Sequence, residues 1–198
     1  MAPAKPFNRQ SLEQALRELG RRAYEEGKTV EIAIYGGSAL ILTYDWRIAT
    51  RDVDAVFEGE RQTVRRLAAA IAEENGWDHD WLNDGVKGFL SAADATPDAK
   101  RLFATYPSED RPGLRVSVAN PRYLFAMKCR AMRIGGVEET PDVADIRARA
   151  HEIGITSVQE GLDLVAEYYP ANMLEVRFGL EEILGGGTLP SPSRHENE

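Results

Sequence analysis

Cysteine is nearly absent. Cys129 is the one thiol among 198 residues, which excludes an intramolecular disulfide and fits a reducing compartment. Its apolar helical surroundings predict a buried, inert side chain. Long apolar runs are also missing, and no stretch reaches the roughly 18 residues that a membrane span needs. The opening MAPAKPFNRQ has no apolar signal core, so the expectation is a cytoplasmic chain. Positive charge is in deficit: 24 Lys and Arg face 32 Asp and Glu, for a formal net charge of −8. That balance excludes a general nucleic-acid coat, whose phosphate contacts need the opposite sign. Basic clusters at Arg65-Arg66, between Arg130 and Arg133 and between Arg147 and Arg149 leave room only for local RNA contacts. Each also reads as a solvated helix face. No internal repeat is present.

Apolar residues make up 43% of the chain, enough for a sizeable core. Residues 1 to 10 read as a loose lead-in. Ser11 with Gln14 forms a capping-box pattern. Leu12, Ala15, Leu16, Leu19 and Ala23 then recur at helical spacing up to the stop at Gly27. Val64, Leu67, Ala68, Ile71 and Ala72 mark a second amphipathic helix closed by Asn75-Gly76. Trp77, Trp81 and Phe89 are large anchors in an irregular acidic stretch. A short strand is expected over residues 102 to 106, a turn at Pro112-Gly113 and an alternating strand over 114 to 119. Asn120-Pro121, Thr140-Pro141 and the capping box Ser157 to Glu160 each open a helix. A last helix over 171 to 184 carries Leu174, Phe178, Leu180 and Ile183. The fold class expected is α/β (α+β), with a core over 1–119, a helical region over 120–185 and a disordered tail over 186–198.

Residues 31 to 57, EIAIYGGSALILTYDWRIATRDVDAVF, hold the chemistry. An apolar strand-like run ends at Gly36-Gly37-Ser38, and a short helix follows. A second run carries Asp52 and Asp54. On a strand, residues two apart point the same way. Two carboxylates so placed repel unless a cation lies between them. Hard oxygen ligands suit Mg²⁺, which is held by one or two carboxylates and completed by substrate phosphates. Glycines let backbone approach a phosphate closely, and a helix N-terminus offers free N–H groups to an anion. Either feature alone is also a plain turn or a solvated acid pair; their order together points to a nucleoside triphosphate and its metal.

Gly37-Ser38, thirteen intervening residues and Asp52-Val53-Asp54 resemble the G-S-x(10–13)-D-x-D signature of the DNA-polymerase-β-like nucleotidyltransferase superfamily. The wider form G-G-S-A-L…R-x-x-T-x-D-V-D, with Arg47 and Thr50, is similar to the AbiEii-type toxin nucleotidyltransferases and their uncharacterised relatives. The resemblance implies a mixed-sheet nucleotidyltransferase core with a C-terminal helical cap. Asp52 and Asp54 would bind Mg²⁺ or Mn²⁺, and Gly36, Gly37, Ser38, Arg47 and Thr50 would bind the nucleotide. NPRYLFAMKCRAMR resembles the family's lysine helix and places Lys128 near the phosphates or catalytic carboxylates. PDVADI, with Asp142 and Asp145, resembles the family's later D-x-x-D segment. Other members carry a third carboxylate on a later strand. Here the candidate strand LRVSVA holds Arg115 and Ser117, so Asp80, Asp84, Asp142 or Asp145 would have to substitute, a single metal would have to suffice, or activity would be weak or lost.

The expected activity is transfer of a nucleoside monophosphate from an NTP such as ATP to an RNA (tRNA) end or a protein hydroxyl. A toxin–antitoxin or phage-defence setting, with a cognate antitoxin or toxin as partner, follows from the same resemblance. Two other readings stand beside it: a catalytically weak or inactive nucleotide- or protein-binding module of the same fold, and a glycosyltransferase, since D-x-D also serves nucleotide sugars.

Overall fold

The computed structural model describes residues 6–44, 49–132, 141–170 and 173–185, with backbone alone at 141 and 142. The chain divides into two compact units, one of Met1–Leu90 and Asp94–Asn120, the other of Ser91–Ala93 and Pro121–Glu198. The described residues form an α+β protein with a mixed sheet of five strands in the first unit and helices throughout the C-terminal part.

The first unit runs α1 (Arg9–Glu25), β1 (Val30–Ile34), α2 (Gly36–Thr43), β2 (Val53–Glu58), α3 (Arg61–Asn75), β3 (Leu82–Asn83), β4 (Lys100–Ser108) and β5 (Arg111–Ala119). The sheet order is β3-β2-β1-β5-β4. Central β1 runs antiparallel to β2 and parallel to β5. Strand pairing divides the sheet into two sides. Ile32 and Ile34 share one side with Ala55 and Phe57 of β2 and with Leu114, Val116 and Val118 of β5. All of these are buried, and α1 packs on β5 and β4 while α3 packs on α1 and β2. The other side carries Glu31, Ala33 and Tyr35, then Asp54, Val56 and Glu58, then Arg115, Ser117 and Ala119. This side is the polar one.

Several local expectations are corrected. The first helix starts earlier than Ser11. Asn8 is its N-cap, accepting from the Ser11 N–H at 2.8 Å, and Ser11 is the third-position partner in the box rather than the cap. Phe7 does not belong to a loose lead-in: it is buried, bridges to Thr50, and meets Trp77 edge-on and Trp81 at a tilt, with ring centroids 4.9 and 5.5 Å apart. Phe89, expected as an anchor, is 48% exposed. Pro112-Gly113 is no turn. The chain reverses at residues 109 and 110, and Gly113 is the extra residue of a bulge where pairing shifts from Tyr106↔Leu114 to Pro107↔Pro112. A side chain there has no room, since its β carbon would lie 1.8 Å from the Gly20 carbonyl oxygen of α1.

The second unit holds α4 (Pro121–Ala131), α5 (Pro141–Glu152), α6 (Val158–Tyr168) and α7 (Met173–Leu184). Its core gathers Phe125, Cys129, Ile146, Leu162, Val165, Val176 and Leu180. Burying each such side chain contributes about 1.5–3 kcal/mol relative to exposure. The capping box at α6 forms as its residues dictate, with Glu160 N–H donating to the Ser157 hydroxyl and Ser157 N–H to the Glu160 carboxylate, both at 3.2 Å. Burial pushes the Cys129 thiol pKa well up, so it stays protonated and inert. On α7 the inward row is Val176, Leu180, Ile183 and Leu184, whereas Leu174 and Phe178 are exposed at 65% and 55%. Arg149, expected on a solvated face, is buried and pairs with Glu152 at 2.6 Å. The tail expected to be disordered lies outside the described residues.

Candidate functional site

The site grows from the junction of β1 and α2. Tyr35 ends the strand in extended conformation and is the N-cap of α2. Its side chain makes no capping hydrogen bond, so the first-turn N–H groups of α2 are not closed off from that side. Gly36 follows in the left-handed region, φ +58. The helix itself is apolar on every side, with Ala39, Leu40, Ile41 and Leu42 all buried, which fixes it firmly in the unit.

Strand pairing then brings the acid to the glycine. The Tyr35 N–H donates to the Asp54 carbonyl at 2.9 Å. A β carbon built on Gly36 would lie 2.8 Å from Asp54 Oδ2. The carboxylate therefore occupies the space that only a glycine leaves open. Asp52 stands one residue ahead of β2, in a bend, and is exposed. Thr50 donates its hydroxyl to the Asp52 carbonyl at 3.1 Å, and its backbone is held by Phe7 through bonds of 2.7 and 2.9 Å. Asn83, the register partner of Asp54 on β3, donates Nδ2 to Asp52 Oδ2 at 3.4 Å.

Other expected residues fall as follows. Ser38 is 1% exposed and donates its hydroxyl to the Tyr35 carbonyl at 3.1 Å. Gly37 is buried beside it. Lys128 and Asp145 come together in the second unit, Nζ to Oδ2 at 3.1 Å, and Asp145 is 2% exposed. Arg47 and the Asp142 side chain lie outside the described residues. Asp80 is exposed. Asp84 is taken up by Lys87 and by Arg65 at 2.9 Å. The Lys87 hydrogen bond, aided by Arg65, holds its carboxyl below the ordinary range. On β5 the polar side presents Arg115, paired with Glu31 at 3.0 Å, and then Ser117.

Sequence reasoning missed a polar chain on this side of the sheet. The Tyr35 hydroxyl donates to Asp94 Oδ1 at 2.6 Å. Lys100 donates to Asp94 Oδ2 at 3.2 Å and to Glu58 at 2.9 Å. Burial opposes the Lys100 charge, yet the hydrogen bonds to Glu58 and Asp94 outweigh it and raise the pKa of the ammonium. The available signal was Tyr35 itself: a tyrosine closing an apolar strand needs a partner for its hydroxyl.

Among the described residues no group of three or more His, Cys, Asp or Glu is placed to hold a metal ion. The donors that are present suit a hard cation whose remaining ligands come from a substrate: the Asp54 carboxylate beside the Gly36 gap, with Asp52 two residues away. A groove of about 500 Å³ lies along α1 and α3, away from this side. Its Arg22 is taken up by Glu18 and Glu74 at 2.7 and 2.5 Å, and its Arg21 by Glu18 at 2.7 Å. No family model matches the chain, and no curated protein or solved structure matches it.

Proposed function

We propose that the chain is a nucleotidyltransferase that moves a nucleoside monophosphate from an NTP to a hydroxyl. One observation supports the reading: the Asp54 carboxylate lies directly against Gly36 at the start of α2, where a cation held by the acid would neighbour phosphates held by the helix N-terminus. The first-turn N–H groups at Gly36, Gly37 and Ser38 bind the β- and γ-phosphates. Asp52 and Asp54 would hold Mg²⁺ or Mn²⁺ together with phosphate oxygens. When bound, the cation supplies charge neutralisation and alignment of the triphosphate. Asn83 holds the Asp52 carboxylate and Thr50 its backbone carbonyl. The acceptor oxygen forms a bond to the α-phosphorus, the bond to the bridging oxygen breaks, pyrophosphate leaves and the hydroxyl proton passes to solvent. Lys128, Asp142, Asp145 and Arg47 keep their roles on the resemblance alone. So do the tRNA or protein acceptor, the toxin–antitoxin or phage-defence setting and the cytoplasmic location.

The test is transfer of label from each α-labelled NTP, with Mg²⁺ or Mn²⁺, to tRNA and to candidate proteins. Asp52→Asn with Asp54→Asn is expected to lower transfer by about 10²-fold or more, on the scale of losing a preorganised charge contact. Equal transfer by the double variant removes the assignment.

A second reading has its own support. The polar side of β5 presents Arg115 and Ser117 and no carboxylate. A module that binds nucleotide without turning it over fits that strand. Calorimetric binding of an NTP with no transfer under any of these conditions selects it.

A further inference from the structure

We propose that Asp94 is a positioning residue for the nucleotide cradle, acting through the Tyr35 hydroxyl. The inference rests on the nucleotide-binding reading and names a residue that the acid and glycine pattern does not contain.

Tyr35 is bonded to both sides of the junction. Its N–H is bonded to the Asp54 carbonyl, and its carbonyl accepts from the Ala39 N–H at 3.2 Å and from the Ser38 hydroxyl at 3.1 Å. A small rotation of Tyr35 therefore moves the α2 N-terminus and the Gly36–Asp54 contact together. Tyr35 is fully buried, so its hydroxyl cannot turn to water and needs a protein acceptor. Asp94 is that acceptor, and the short 2.6 Å bond is the length expected for a hydroxyl on a charged oxygen. Asp94 is fixed in turn. It sits in a 3₁₀ turn, Ala92–Ala95, and its second oxygen accepts from Lys100. Lys100 also reaches Glu58, on the same strand as Asp54. The chain Tyr35–Asp94–Lys100–Glu58 thus ties the end of β1 to β4 and β2. Removing one member leaves the acids and glycines in place but frees the residue that sets their angle.

The experiment compares wild type, Tyr35→Phe, Asp94→Ala, the double variant and Asp94→Asn. ATP, GTP, CTP and UTP are titrated calorimetrically with Mg²⁺, and KM and kcat for transfer are measured for the NTP bound best. Tyr35→Phe removes one oxygen and keeps the packing, so it serves even if Asp94→Ala folds poorly. Each single variant is expected to weaken nucleotide binding by about tenfold, the scale of one charge-assisted hydrogen bond. KM should rise more than kcat falls. The double variant should bind as Asp94→Ala alone does, because that change already removes the contact that Tyr35→Phe breaks, along with the Lys100 bond. Asp94→Asn, which keeps an acceptor for Tyr35, should bind more tightly than Asp94→Ala. Unchanged affinity in Tyr35→Phe, or losses that add in the double variant, overturns the inference while leaving the functional reading standing. A wild type that binds none of the four nucleotides overturns both.

Discussion

Gly36 and Asp54 show how one missing atom shapes a site. An alanine at 36 would carry a β carbon 2.8 Å from the Asp54 carboxylate oxygen and would sit in the left-handed region. We expect Gly36→Ala to cost about 1–2 kcal/mol from backbone strain alone, read from denaturant melts, and to lower nucleotide affinity beyond that. Glu18 offers a test far from the site. The Arg21 hydrogen bond, with help from Arg22, holds its carboxyl at about 2. A depressed folded pKa stabilises fully above the unfolded carboxylate range and is lost as pH falls toward the folded value. Stability should therefore drop between about pH 5 and 2, and Glu18→Gln should flatten that limb in melts across the range. The Gly-Gly break after β1 and the place of Asp54 on a strand were legible as local signals, whereas Asp52 falls in a bend ahead of the strand that alternation assigned to it. Asp94, Asn83 and Glu58 were not legible, since their partners lie across strands and no spacing in the sequence records that.

At the scale of elements, close approach decides more than propensity does. Residues in α1 and β5 meet backbone to backbone at Gly20 and Gly113. A β carbon on Gly20 would lie 2.6 Å from the Tyr106 carbonyl oxygen, and one on Gly113 would lie 1.8 Å from the Gly20 carbonyl oxygen. Both alanine variants should lose about 1–3 kcal/mol through overpacking, with Gly113→Ala the worse, as thermal melts will show. Pro112-Gly113 looked like a turn because a bulge and a turn use the same residue types. The helix periods were read well where one face is buried, as in α1, α3 and α6. In α7 the pattern offered two apolar rows, Leu174 with Phe178 and Val176 with Leu180. Packing against α6, α4 and α5 chooses the second. At α6, Ser157→Ala should cost about 1 kcal/mol, the usual worth of an N-cap hydroxyl, again by melting.

Across the whole molecule, the element order and the mixed α+β character follow from the alternation of periods along the chain. The strand order does not: nothing in the sequence says that β5 returns to lie beside β1. The formal charge of −8 belongs to this scale as well. Without a basic coat, the protein should pass through a heparin column unretained at about 150 mM salt. Retention there would reveal a local basic surface strong enough to override the net charge.

The mixed pairing around β1 has a consequence for descent and engineering. Because β2 runs back along β1, the acid is delivered to the glycine by hydrogen-bonded register, and not by the length of chain that joins them. Residues inserted or deleted in that connection leave the meeting of Asp54 and Gly36 untouched. A one-residue slip of β2 would turn Asp54 to the opposite side of the sheet. Distant kin of this chain should therefore differ freely in the gap between their serine and their aspartates, and hardly at all in the strand that carries the acids.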